Sequence, residues 1–526
     1  MVSFGILIGL AFLVTAGIIP IVRRAAFRWH LVDEPDGQRK LHSRTIPLGG
    51  GIAILLGSLV SLSVLTLYGT RLVPPIFFQV SNYLGLLLAV LILCAVGIAD
   101  DRFAIRGRQK LLGQTFACGV VIAAGLVIRH VHIFGWEFEL GPLAVPFTLF
   151  WLLGAINALN LIDGIDGLAT TVGCILCLAL ASMSYLTGHL DDALLALVLG
   201  GSLLAFLFYN FPPASMFLGD TGSMLIGFVL GVVAIRSSLK GPATVALAAP
   251  AAVWAIPIFD TGMAILRRRL TGRSIYETDR GHLHHCLLQR GYSGKKTLLW
   301  IGTLCALTAI GALISVAYQN EWLAVGSTAL VIGVLVVSRL FGHIEIHLLG
   351  QRLKHLFLTL IPRPRFVGHR PQPLATRFQG NGQWDDLWKT LIEFADRFDL
   401  CAVRLNINLP ALHEQYHANW SRQELPDAAQ LWHTDIPLIR QNHTVGRLRI
   451  TGRSADGSAC VWMGELISGL KPFETLMLSL VDEHIAAAGG SFPLASAGVS
   501  ADRNSPLVQN SEAGLKAVTD APQRII

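Results

Sequence analysis

Long apolar runs separated by short polar stretches dominate the first two thirds of the chain. They start near residues 2, 48, 83, 111, 147, 167, 192, 223, 242, 297 and 322, and the last ends near Leu340. A helix needs roughly 20 apolar residues to cross the hydrocarbon core, so the pattern predicts about eleven transmembrane helices. The first run, Val2 to Val22, has no basic leader and no small-residue cleavage site, and reads as a retained membrane helix. Two breaks between runs, Asn157–Asp166 and Asn210–Asp220, concentrate amides and carboxylates.

After about Leu360 the pattern changes. IPRPRFVGHRPQPLATRFQGNGQ is rich in Pro, Arg and Gly and reads as a linker. A helical pattern at 384–397, alternating runs such as CAVRLNINL and HTVGRLRITG, and a last helix near 472–488 predict a small α+β unit. The stretch from Gly489 is rich in Ser, Ala, Gly and Asn and is expected to be disordered. The expected organisation is a membrane domain over 1–345, a linker over 346–383, an α+β domain over 384–488 and a tail over 489–526. The fold class is an all-α polytopic membrane protein with a small C-terminal cytoplasmic α+β domain.

Composition agrees. The 526 residues are 53% apolar and 14% charged, with a mean hydropathy of +0.56, whereas a soluble domain is about a quarter charged. Nothing in the pattern suggests nucleic acid as a partner. The cysteines lie mostly inside apolar runs, and the CxxC spacing of Cys174 and Cys177 sits in an uncharged segment, which favours helix packing over zinc or redox chemistry.

Charge orients the bundle. Arg23, Arg24, Arg28, Arg39, Lys40 and Arg44 follow the first run, Arg102, Arg106, Arg108 and Lys110 the third, and Arg267, Arg268, Arg269 and further cations the ninth. By the positive-inside rule these loops are cytoplasmic. Asp100 and Asp101, the Asn157–Asp166 stretch and Asp220 fall on the same side, although the acids took no part in the assignment.

Each of these acids would cost about 2.5–3.5 kcal/mol at a bilayer centre, so they must face water, a cation or one another. Carboxylates with amide oxygens and no thiolate suit a hard cation: Mg²⁺ first, with Mn²⁺ as the alternative. Asn157 and Asn160 lie one helical turn apart, and Gly164 and Gly167 let the backbone turn beside a ligand. His282, His284 and His285, in LRRRLTGRSIYETDRGHLHHCLLQRG, suit pyrophosphate better than zinc in a site already expected to hold Mg²⁺. Lys40, in LVDEPDGQRKLHSRTIPLGGGIAI, is a phosphate or lipid-headgroup contact. Acids, a hard metal, glycine turns and a basic loop together describe phosphoryl transfer.

DEPDGQRKLHSRTIPLGG, GIADDR, NALNLIDGIDGLA, FLGDTGSMLIGF and DRGHLHH, in this order, resemble the polyprenyl-phosphate N-acetylhexosamine-1-phosphate transferases over residues 1–345. The GHLHH form resembles the branch using UDP-N-acetylglucosamine or a related sugar rather than the muramoyl-pentapeptide branch. The resemblance implies that undecaprenyl phosphate attacks a UDP-N-acetylhexosamine at the inner leaflet of a bacterial plasma membrane, with UMP leaving. It implies Asp220 and Asn160 as metal ligands, Asp100 as base or lipid-phosphate contact with Asp101 beside it, and Asp163 and Asp166 at the nucleotide; Asn157 and Gly164 join the expected ligand-binding set from their positions alone. The resemblance also places His282, His284 and His285 at the diphosphate. A further acid that members often carry after the DD pair is absent from DDRFAIRGRQ. Expected partners are the two substrates and the bilayer, with a second copy of the chain (a homodimer) and a cytoplasmic protein on 384–488 as candidates. The rival classes are a secondary transporter, whose acids would sit near the midplane between repeats, and a CDP-alcohol phosphotransferase, whose motif spacing differs.

Overall fold

The computed structural model describes residues 2–34, 44–68, 80–241, 244–270, 281–343, 345–346, 349–350, 375–376, 383–409, 414–422, 431–440, 443–453, 466, 469–470 and 473–480. The 346–383 linker therefore lies largely outside the described residues and the 489–526 tail entirely so, while the expected last helix near 472–488 is described, and helical, over 473–480.

The first two thirds are helical. In order come α1 (Val2–Arg28), α2 (Gly50–Tyr68), α3 (Val80–Phe103), α4 (Gly107–Ala123), α5 (Ala144–Ile162), α6 (Leu168–Leu186), α7 (Leu190–Asn210) and α8 (Gly219–Arg236). They are followed by α9 (Ala248–Val253), α10 (Ala255–Leu270), α11 (Leu283–Gln289), α12 (Gly294–Ala317) and α13 (Glu321–Val337). Among the described residues, seven helices are long and apolar enough to cross a membrane, and Gly50–Leu65 and Glu321–Val337 are shorter apolar helices. The molecule is a multi-pass membrane protein.

The run expected to cross as one helix from residue 242 is two helices that meet at Trp254. Pro257 explains the break: it has no N–H to donate to Val253, and its ring crowds that carbonyl, so α9 ends there.

Helix α8 is the axis of the bundle. It packs against α3 and α5 and also touches α2, α6 and α7, and nearly all of it is buried. A helix surrounded in this way carries no polar stripe. Small residues permit the approach: a β-carbon at Gly227 would lie 2.6 Å from the Ala155 carbonyl oxygen on α5.

Two short strands close the sequence gap between α1 and α2, β1 (Val32–Asp33) pairing with β2 (Ile46–Pro47). At the far end β3 (His130–Ile133), β4 (Trp136–Glu139), β5 (Leu239–Gly241) and β6 (Thr244–Ala246) form a sheet in the order β4-β3-β6-β5, with β3 parallel to β6. Strands of three or four residues are too short for a periodic signal, so this sheet was not expected.

A separate core lies toward the C-terminus. Helix α14 (Gln383–Arg397) buries Leu387, Trp388, Leu391 and Ala395 with Val403, Leu405, Ile407, Leu448 and Ile450. The last five belong to β8 (Ala402–Leu409) and β11 (His443–Arg453). With β7 (Ala375–Thr376), β9 (Glu414–Ser421) and β10 (Leu431–Arg440) they form a sheet in the order β10-β11-β8-β9-β7. β7 falls in the stretch that composition assigns to the linker.

Candidate active site

Chain order brings the ends of α3, α5, α7 and α10 and the starts of α4, α6 and α8 to one end of the bundle. The acids gather there around a lysine. Lys110 Nζ lies 2.9 Å from Asp100 Oδ2, 2.9 Å from Asp220 Oδ2 and 2.9 Å from Asn160 Oδ1. Asn160 Nδ2 donates to Asp220 Oδ1 and, at 2.9 Å, to Ser223 Oγ. Three hard oxygens from α3, α5 and α8 thus converge on one cationic centre.

Asp101, next to Asp100, faces α8 instead. Its Oδ1 accepts from Asp220 N at 2.8 Å, and its Oδ2 from Thr221 N at 3.3 Å and Thr221 Oγ1 at 2.9 Å. It serves the free N–H groups and positive end of α8, and so fixes the backbone that carries Asp220. Gly219 has φ +74, and a β-carbon there would stand 2.7 Å from Asp101 Oδ2. The glycine of GDTGS is required by this contact as well as by its left-handed backbone.

Asn157 sits one turn behind Asn160 and is paired elsewhere: its Nδ2 donates to Gln114 Oε1 at 2.9 Å and to the Leu153 carbonyl at 2.8 Å. Lys110 and Gln114 on α4 thereby match Asn160 and Asn157 on α5.

The DGIDG turn between α5 and α6 is tied to the loop before α8. Asp166 Oδ2 accepts from Ala214 N at 2.8 Å. Buried Asn210 accepts from Gly167 N at 3.1 Å and Thr170 Oγ1 at 2.7 Å, and donates to the Met216 carbonyl at 3.0 Å. Asp163 is half-buried and lies within the fields of Asp220, Asp101, Asp166 and Lys110. Burial and the three neighbouring carboxylates push its carboxyl well above the ordinary value.

The histidines form the other wall. Buried His282 faces Asp260 on α10, Nδ1 to Oδ2 at 2.8 Å, and Asp260 Oδ1 accepts from Leu283 N at 2.7 Å. The His282 and His284 rings are parallel at 5.8 Å, and His285 is tilted against His284 at 4.2 Å. His284 is buried, and neither of its ring nitrogens has a partner among the described residues. Burial and the neighbouring imidazoles hold it neutral, well below the usual histidine value. A β-carbon on Gly164 would collide with this ring, so the histidines and the DGIDG turn share one cleft. Behind them Arg267 Nε donates to buried Glu345 at 2.6 Å, and Arg267 also packs on Gly281.

Lys40 lies outside the described residues. Lys110, Gln114, Asn210, Ser223 and Thr221 were not anticipated from sequence. The signal for the first two was a Lys–Gln pair four residues apart on a helix facing an Asn–Asn pair three apart.

No three His, Cys, Asp or Glu side chains among the described residues stand together as a ready metal cage. Mg²⁺ does not need one, since it takes one or two carboxylates and completes its shell with water and phosphate. The residues fit such an ion: an all-oxygen donor set already surrounds a positive charge at Lys110 Nζ.

Clustered carboxylates around a half-buried ammonium, with a histidine wall opposite, at one end of a bundle of membrane-spanning helices, are groups suited to phosphoryl transfer, and the relatives are phosphotransferases. The Glycosyl transferase family 4 profile matches residues 83–238. A probable undecaprenyl-phosphate N-acetylglucosaminyl 1-phosphate transferase of Bacillus subtilis is 31% identical over 300 residues, 56% of this chain and 80% of the relative. The undecaprenyl-phosphate alpha-N-acetylglucosaminyl 1-phosphate transferase of Haemophilus influenzae is 34% identical over 319 residues, 57% of this chain and 84% of its own. A decaprenyl-phosphate N-acetylglucosaminephosphotransferase of Mycolicibacterium smegmatis is 33% identical over 345 residues, 60% of this chain and 82% of its own. The chain belongs to glycosyl transferase family 4.

Proposed function

We propose that the protein transfers N-acetylglucosamine 1-phosphate from UDP-N-acetylglucosamine to undecaprenyl phosphate, giving undecaprenyl-diphospho-N-acetylglucosamine and UMP. In this reading an oxygen of the lipid phosphate forms a bond to the β-phosphorus. The bond from that phosphorus to the bridging oxygen breaks, and UMP carries that oxygen away.

The observation that carries the reading is the charge imbalance around Lys110. Among the described residues, Asp100 and Asp220 both pair with the Lys110 ammonium, and Asp101, Asp163 and Asp166 lie close by at the same end of the bundle. Such a site repels phosphate unless further positive charge enters with it. Asp220 and Asn160 would hold Mg²⁺, which when bound offsets the charge of the diphosphate. Asp100 would receive the lipid phosphate and its proton, with Lys110 between the two acids as a fixed counter-charge. Asp163 and Asp166 would face the nucleotide, and the His284 nitrogens, which have no partner among the described residues, suit a diphosphate oxygen.

The topology proposed with this chemistry has eleven crossings: α1 to α8, the α9–α10 pair, α12 and α13. Arg102, Arg106, Arg108, Arg267, Arg268 and Arg269 flank helices at the site's end, which favours a cytoplasmic site in a bacterial inner membrane. The C-terminal α+β unit, which lies outside the residues that the family profile matches, would then dock a cytoplasmic partner.

The test is turnover by purified protein in detergent or nanodiscs. Labelled UDP-N-acetylglucosamine should yield UMP and a labelled lipid only when undecaprenyl phosphate and Mg²⁺ are both present, and EDTA should stop it. UMP release independent of the lipid would end the proposal.

A further inference from the structure

Asp260 lies outside every motif that suggested the chemistry, yet it is a fully buried acid with both oxygens engaged. It is 1% exposed, and its two oxygens reach different groups, His282 Nδ1 at 2.8 Å and Leu283 N at 2.7 Å. A carboxylate only accepts, so the proton of His282 resides on Nδ1, and Nε2 is the nitrogen left for a ligand. His282 in turn is parallel to His284, whose ring lies over Gly164 of the DGIDG turn. A row therefore runs from Asp260 through His282 and His284 to the loop that carries Asp163 and Asp166.

A bland role is available: Asp260 as a cap for the short helix α11. The cap uses one oxygen. The other, directed at an imidazole that is itself 4% exposed, adds nothing to capping, and burying a charge there costs free energy unless it is matched. An imidazole whose tautomer is fixed by a buried carboxylate is a recurrent way to aim the opposite nitrogen at a reacting oxygen.

We infer that Asp260 is a positioning residue of the transferase site, which through His282 orients the histidine wall against the donor's diphosphate. The inference rests on the proposed transfer reaction. Asp260 touches no substrate; its effect passes through His282.

A double-mutant cycle tests it with Asp260→Asn, His282→Gln and the pair, in the full-length protein. Asparagine keeps an oxygen for Leu283 N–H while its amide presents a donor to His282 Nδ1, so it spares the cap and disturbs the imidazole. Asp260→Asn should lower kcat by about 100-fold, within the range typical of general acid–base groups, and shift KM for the UDP-sugar by less than about threefold. In the His282→Gln background the same change should cost less than about threefold, because the route is already cut. Equal losses in both backgrounds, or near-normal turnover of Asp260→Asn, would overturn the inference. If Asp260→Asn does not give monodisperse protein, Asp260→Ser, whose hydroxyl can still accept from Leu283 N–H, replaces it in the cycle. Wild-type protein that fails to release UMP sinks the reaction itself, an outcome distinct from additive losses in an active background.

Discussion

Lys110 is one of four cations between Arg102 and Lys110, and by composition alone they are equivalent positive-inside residues. Geometry separates them. Only Lys110 reaches Asp100, Asp220 and Asn160 together, while Arg102 Nη1 donates to the Trp29 carbonyl at 3.0 Å. Removing its charge leaves two carboxylates facing each other, a repulsion worth about 4 kcal/mol at 4 Å in an effective dielectric of 20. Lys110→Met should therefore lower kcat by about 100-fold or more and reduce the Mg²⁺ concentration for half-maximal rate severalfold, read from a metal titration. Asp220→Asn should nearly abolish turnover and leave the protein in the membrane fraction, checked by assay and immunoblot. The aspartates and histidines were legible because acids and three close imidazoles are costly in so apolar a chain. Lys110 was not, because a cation at a membrane edge has a sufficient explanation without a site. Nor did the sequence separate Asp100 from Asp101: adjacent on a helix, they point about 100° apart, one to the lysine and one to the start of α8.

At the scale of elements, the site depends on helices that approach through glycine. At Gly51 a β-carbon would collide with the Gly222 backbone, and at Gly227 it would stand 2.6 Å from the Ala155 carbonyl. Gly227→Val should force α5 away from α8 and destabilise the bundle by about 1–3 kcal/mol, seen as a lower Tm in detergent. Turnover should fall with it, since Asn160 and Asp220 ride on those two helices. The apolar runs marked the long helices well, because each must hide its own backbone in lipid. They marked the interruption at Trp254 poorly, since a proline inside an apolar stretch does not change its hydropathy. The small sheet at the far end escaped for a different reason. Its register is set by pairing between β3 and β6, which lie far apart in sequence, and local periodicity does not record that.

For the whole molecule, the division between the α1–α13 bundle and the α14–β11 core predicts separable behaviour. Deleting residues 365–526 should leave UMP release within about threefold of wild type, since the relatives' similarity covers only 56–60% of this chain. Orientation can be tested with cysteines at exposed positions at opposite ends. Gln319→Cys should react with an impermeant maleimide in intact cells, and Lys296→Cys only after permeabilisation; the reverse would invert the proposed topology. Seven of the eight native cysteines fall among the described residues, where each is free and buried or half-buried; the labelling is done in a Cys460→Ser background, and the parent without an added cysteine sets the blank.

The knot around Asn210 restricts where motion can occur. Because that amide and Asp166 tie the DGIDG turn to the segment ahead of α8, the floor of the cleft, where the proposed reaction would seat its substrates, is a single slab. A slab cannot report which substrate has arrived by shifting one half against the other. In the proposed reaction, adjustment of the cleft is left to the opposite wall, where His282 is held to α10 by Asp260 and Arg267 pairs with Glu345 beside Gly281.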